Sequence, residues 1–182
     1  NGVDIGGSTS SVGFETTDIG ASHGGRGEAN AKPPYGSFLQ PTDLGSKANC
    51  RGGGAVRIVC DALTLADAAS RIKANGCTQK QWGSGSGGSI WLTTRTLAGE
   101  GSVQANGGDY QGLYGQVGGG GRAAVYVSED VSGWSGTVEV RSGTRGELLG
   151  GVGTMLLAFP DDGDGAHLSV VNAHTATETL ET

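Results

Sequence analysis

Three short stretches hold residues whose types and spacing can do chemistry. "PDDGDG" sets Asp161, Asp162 and Asp164 around two glycines. Three carboxylates so close can offer several oxygens to Ca²⁺, a hard cation that accepts flexible oxygen shells. The spacing is not that of an EF-hand loop, and a solvated acidic turn between strands is the plainer reading. Calcium is the one cofactor the sequence suggests. "GASHG" (20–24) fits G-x-S-x-G, with Ser22 as nucleophile. That elbow needs a strand before it and a helix after it, and the pattern shows neither. His23, close to Arg26, reads instead as a partner for glycine-loop carbonyls. "GSGSGG" (83–88) fits G-x-G-x-x-G but leads into "SIWLTT", a strand, where a dinucleotide site requires a helix.

Paired carboxylates suit glycoside hydrolysis or polysaccharide elimination. Glu129–Asp130, Glu139, Arg141 and Arg145 are the nearest approach to such a set. An active face would need such residues stacked at equivalent positions of successive units, whereas these fall on one unit. Alternating charge on an outward strand face accounts for them more simply. Trp91, Trp134, Tyr110 and Tyr114 offer platforms for sugar stacking.

The cysteines, Cys50, Cys60 and Cys77, lack CxxC spacing, and His23, His167 and His174 are too scattered to complete a zinc site. An odd count leaves either one disulfide with a spare thiol or buried free thiols. The first alternative pairs Cys50 with Cys77, both in loops, and leaves Cys60 in a strand as a small hydrophobe. A bridge suits an extracellular setting. Net charge is −6 with no basic cluster, so nucleic acid is an unsuitable partner. No apolar run nears the roughly 20 residues that span a bilayer, so membrane insertion is not expected. The chain opens at Asn1 without a signal-like segment and reads as a mature or excised piece of something longer.

What must position these residues is a repeat. Glycine supplies 37 of 182 residues. "GGSIWLTTRTLAGEGSVQANGG" (87–108) matches "GGAVRIVCDALTLADAASRIKANG" (53–76), "GGRAAVYVSEDVSGWSGTVEVRSG" (120–143) and "GTMLLAFPDDGDGAHLSVVNAH" (153–174). The period of about 33 residues is that of solenoids and arrays. Each unit holds two strands of period-two alternation. Val56, Ile58 and Cys60; Ile90 and Leu92; Ala123, Val125 and Val127; and Met155, Leu157 and Phe159 form the inward rows. Arg57, Trp91, Thr93, Arg122 and Tyr126 face outward. In the second strands Ile72, Val103, Val138 and Leu168 are equivalent. Stacking buries the inward rows and satisfies each strand from the next coil.

Glycine then brackets the units because each coil must turn sharply. Residues 62–76 have helical spacing at Leu65, Ala68, Ala69 and Ile72. Their alignment with the glycine-bearing "TLAGEGSVQANG" predicts turn plus strand instead. In the connectors, Trp82, Leu113 and Leu149 read as pegs pinning loop to coil, and the glycine runs suit extended, polyproline-II-like packing.

"GASHGGRG", "PPYGSF", "GGGAVRI", "GGGGRAAVYV" and "GVGTMLLAF" resemble glycine-rich repeat regions of very large secreted and cell-surface proteins. The resemblance covers roughly residues 18–172 and implies a parallel β-helix serving adhesion or an extracellular layer, with no catalytic signature. Two departures stand out: Ala123 and Ala124 replace larger aliphatics, and the "PDDGDG" turn is acidic.

The expectation is therefore all-β: a right-handed parallel β-helix (β-solenoid) of about four coils. Residues 1–52 form an irregular glycine-rich cap over the first coil, and the coils are 53–86, 87–119, 120–152 and 153–182, one domain in all. The expected function is a non-enzymatic extracellular structural or adhesive module, a filament or surface-layer block. Its partners are other copies or neighbouring domains joined by end-to-end strand pairing, with "VVNAHTATETLET" supplying a next strand, and glycans. The alternatives are a carbohydrate-binding or polysaccharide-cleaving β-helix and a calcium-stabilised adhesin.

Overall fold

The computed structural model describes residues 3–4, 20–28, 31–113, 115–159 and 178–179. Among these residues the chain is all-β, without a helix. Four long strands, β2 (Ala55–Leu65), β4 (Ser89–Gly99), β6 (Arg122–Asp130) and β10 (Thr154–Ala158), form one sheet in the order β10-β6-β4-β2, every pair parallel. Short strands β3 (Arg71–Lys73), β5 (Ser102–Gln104) and β7 (Thr137–Glu139) form a second parallel row. The result is a parallel β-solenoid of about three turns.

Register follows the sequence repeat. Val56 lies beside Ile90, Ile90 beside Ala123 and Ala123 beside Met155, with Ile58, Leu92, Val125 and Leu157 as the next rung. Ile72, Val103 and Val138 align on the short row. Both sets face one narrow core, which Trp134 and Leu97 help to close. A slip of one residue would turn each aliphatic row to the outside, so the alternation itself pins the register. The helical spacing at 62–76 loses. β2 runs to Leu65, Asp67 caps a turn by accepting from the Ala69 and Ser70 N–H groups, and β3 follows.

The short row carries β1 (Val3–Asp4), parallel to β3, at one margin and β11 (Glu178–Thr179), antiparallel to β7, at the other. Part of the C-terminal tail expected to reach a neighbouring molecule thus pairs within its own chain. Leu168, expected in the fourth coil's second strand, lies outside the described residues.

The glycines serve the extended packing expected of the connectors more than the sharp turns expected at the ends of the units. Among the described residues, glycine φ is positive only at Gly36, Gly99 and Gly146. Most of the others are needed for close approach of backbones. A Cβ on Gly118 would strike the Gly85 carbonyl oxygen, one on Gly87 that of Ala105, and one on Gly143 that of Gly108.

Successive amides of one glycine run also point to different neighbours. Gly118 N–H donates to Gly108 at 3.1 Å, Gly119 to Ala21 at 2.8 Å, Gly120 to Gly151 at 2.9 Å and Gly121 to Ala105 at 2.7 Å. The first and fourth return to the same segment, the period of a helix with three residues per turn. Gly85 and Gly88 repeat the pattern, donating to Cys77 and Ala74, while Ser86 and Gly87 between them serve Ser46 and Gly119. The connectors therefore pack as a bundle of polyproline-II-like runs, bonded sideways because that conformation has no internal hydrogen bonds.

The N-terminal segment does more than cover the first coil. Residues 20–28 thread the glycine bundle, reaching Ser84, Val117, Gly119, Gly120 and Gly151 through backbone bonds. Residues 31–44 strap the outer face of the long sheet. There Arg122 Nε donates to the Tyr35 carbonyl at 2.8 Å, Tyr126 Oη to Leu39 at 2.7 Å and Ser89 Oγ to Asp43 at 2.6 Å. Ala124 lies between Arg122 and Tyr126 and is fully buried, so its small side chain suits the strap's close passage.

Candidate functional site

The residues singled out for chemistry are spread over the fold and engaged in structural bonds; Glu129 and Asp130 share β6, and Arg141 lies 3.8 Å from Glu139. Ser22 is buried, and its Oγ accepts from the Gly27 N–H at 3.0 Å within the glycine bundle, not at a strand-to-helix elbow. Ser84 and Ser86 of "GSGSGG" are likewise buried, bonding Asp109 and Ser46. Glu129 holds Arg95, which also pairs with Asp61, forming an exposed ladder across three coils. Asp130 accepts from the Ser132 N–H. Both Glu139 oxygens accept amide protons, from Gln104 at 3.2 Å and Asn106 at 2.9 Å. Arg145 binds Glu28 at 2.9 Å.

The bonds of Glu129 and Glu139 run from coil to coil. Asn75 Oδ1 accepts from the Asn106 N–H and Asn106 Oδ1 from the Arg141 N–H, at 2.8 and 3.0 Å. Thr78, Asp109 and Thr144 make a second such ladder.

Cys50 and Cys77 form a disulfide with Cα atoms 6.1 Å apart, joining the glycine bundle to the first connector, and Cys60 is free. Asp161, Asp162, Asp164 and Tyr114 lie outside the described residues. Among the described residues no group of three His, Cys, Asp or Glu is placed to hold a metal.

His23 is an ionisable group with no exposed surface. Its Nδ1 lies 2.8 Å from the Gly87 carbonyl, its ring tilts against Tyr35 with centroids 4.8 Å apart, and Nε2 has no partner among the described residues. Burial lowers its pKa to about 4, overriding the Gly87 bond, while Arg122 adds to the fall and Asp43 opposes it.

The proposed aromatic platforms are mostly covered. Trp134 and Tyr110 are buried, and the Arg57 guanidinium sits 4.2 Å from the Trp91 ring centroid. Two of the three expected pegs, Trp82 and Leu113, are inverted. Trp82 is 50% exposed and Leu113 82%, and in the last connector Leu148 is 50% exposed beside the half-buried Leu149. Tyr110 does the pinning instead, since Cβ atoms on Gly112 or Gly115 would strike its ring.

The connectors are stacked: Gln111 N–H donates to Gln79, Tyr110 N–H to Thr144, and the Arg145 guanidinium to the Leu113 carbonyl. Thr144–Arg145 (β8) and Leu148–Leu149 (β9) form a small hairpin around Gly146. One large apolar side chain per coil thus stands out along a single edge. Trp82 also has φ of 68°, the only non-glycine residue with positive φ among those described. The sequence singled out Trp82 and Leu113 but gave them the opposite direction, and in the last connector it named Leu149 where Leu148 is the exposed residue, because a lone apolar residue in a loop reads the same buried or exposed.

A parallel β-solenoid backed by a glycine bundle, presenting this ridge, is the class the geometry defines. Comparison of the chain with protein-family models, curated proteins and solved structures finds no match in any of the three.

Proposed function

We propose that the chain is a non-enzymatic structural and adhesive β-solenoid module of an extracellular protein, a unit of a filament or surface layer. The observation that carries the reading is where the polar side chains spend their bonds. Arg95, Asn75, Asn106, Asp109, Glu139 and Glu28 tie coil to coil or loop to coil. Together with the glycine bundle they make a rigid rod whose loop edge faces outward. The Cys50–Cys77 disulfide suits an oxidising compartment.

Assembly would run through the long sheet. β2 and β10 are its margins, and a second copy whose β2 stacked on β10 would continue the same parallel register. Strand edges of this kind template pairing with another chain. Electron microscopy and sedimentation across a concentration series test this. Linear particles that lengthen with concentration are expected, and monodisperse single particles at high concentration overturn the filament role. Turnover of a polysaccharide, abolished by Glu139→Gln, would replace the reading with an enzymatic one.

A further inference from the structure

Trp82 occupies a backbone position that costs the fold something, and half of its surface stays in solvent. Bulky side chains seldom adopt a φ of 68°, and such a conformation persists only where the surroundings impose it. Here they do. The Cys50–Cys77 bridge anchors the start of the connector, and the 110–115 loop lies so close that a Cβ on Gly115 would strike the Trp82 carbonyl oxygen. Glycine at 82 would adopt this backbone freely. An indole is instead held here, with half of its surface left in solvent.

We infer that Trp82 is the stacking platform of a binding site for a neutral polysaccharide, with the amides of Gln79, Gln81 and Gln111 as its polar complement. This rests on the adhesive reading and names the surface it would adhere to. An indole face takes the C–H face of a pyranose ring, and its flanks then need groups that both donate to and accept from hydroxyls, as planar amides do. Gln81 adjoins Trp82 in the chain and is exposed, as is Gln111, whose N–H donates to the Gln79 carbonyl at 2.9 Å; Gln79 Oε1 accepts from the Lys80 N–H at 2.9 Å, which leaves its NH₂ to donate. Leu113 extends the apolar edge one coil further. The chain's charge of −6 disfavours an anionic polymer. The ridge is a row of single side chains, too narrow for the roughly 800 Å² per partner of a stable protein interface.

The test measures retention of the full chain on insoluble cellulose, on chitin and on immobilised mannan, with phenyl-agarose as an apolar control. The wild type should be retained by at least one polysaccharide. Trp82→Gly should bind about tenfold more weakly or worse, with a melting temperature unchanged or raised, and Trp82→Phe should keep part of the binding. Retention of the wild type by none of the three polysaccharides, by phenyl-agarose alone, or undiminished in Trp82→Gly overturns the site. Filament formation is scored on the same samples, so loss of the site with assembly intact is distinguishable from failure of the scaffold reading.

Discussion

At the scale of single residues, His23 gives the fold a directional response to acid. Its ring is enclosed by the Gly87 carbonyl, Tyr35 and the strap that carries Asp43, with the Arg122 charge nearby. The folded-state pKa is about 4 against an ordinary 6.5. Above pH 6.5 neither folded nor unfolded chain carries the proton, and the stabilisation of the neutral ring is complete. As pH falls from 6.5 towards 4, the unfolded chain binds a proton that the folded chain refuses, so stability drops. At 1.36 kcal/mol per pKa unit the loss is on the order of 3 kcal/mol by pH 4, where the folded state begins to protonate and the dependence flattens. His23→Gln can still donate to the Gly87 carbonyl but does not titrate. Chemical denaturation at half-unit intervals should show a steeper decline for the wild type than for His23→Gln between pH 6.5 and 4. Parallel curves would mean that the ring is hydrated or rearranges on protonation. Carboxylates common to both proteins, such as Asp67 and Asp130, cancel in the difference.

At the scale of elements, glycine divides into two kinds that composition cannot separate. Gly118 lies in a run where a methyl group would meet the backbone of Gly85, whereas nothing lies within 4 Å of a Cβ on Gly146. Gly118→Ala should therefore cost about 3 kcal/mol or more, because backbone on both sides blocks relaxation. Gly146→Ala should cost about 1 kcal/mol, from its φ of 58° alone. Melting temperatures of the two variants check this, and equal losses would remove the close-packed bundle from the account. The same distinction explains what the sequence could tell. The rows Val56–Ile90–Ala123–Met155 and Ile72–Val103–Val138 were legible because period-two alternation and a repeat of about 33 residues act on every coil alike. The extended packing of the glycine connectors was legible too, but which glycines turn the chain and which admit a neighbouring backbone was not, since both needs select the same residue. Trp82 and Leu113 were misdirected for a related reason: no periodicity inside a short loop says which way a side chain faces. Cys50 and Cys77, which the structure bridges, were paired from the sequence because both lie in loops, while Cys60 sits half-buried within β2.

At the scale of the whole molecule, the N-terminal segment changes how the rod should come apart. In a simple solenoid each coil touches only its neighbours, so stability is a sum of local terms and the ends open first. Here residues 20–28 bond to Ser84 in the first connector, to Val117, Gly119 and Gly120 in the second and to Gly151 in the third. The strap adds bonds to β4 and β6, and Arg122 carries it on to Thr154 of β10 at 2.7 Å. Opening one coil therefore strips bonds from segments that serve all the others, which couples the coils beyond nearest neighbours. The disulfide reinforces this by closing a 27-residue separation, a constraint worth about 3.5 kcal/mol in the loop-entropy account. Native-state hydrogen exchange should accordingly find the amides of Gly85–Gly88 and Gly118–Gly121 opening with one common free energy, and heat should unfold the chain in a single transition. Arg122→Ala together with Tyr126→Phe frees the strap at two of its anchors while leaving the aliphatic rows intact. In that variant the protection of the Gly118–Gly121 amides should fall first, before the Ile90 and Leu92 amides of β4. If the wild type already loses its coils in sequence from one end, the N-terminal segment is a passive cover, and the rod's rigidity must come from the aliphatic stack alone.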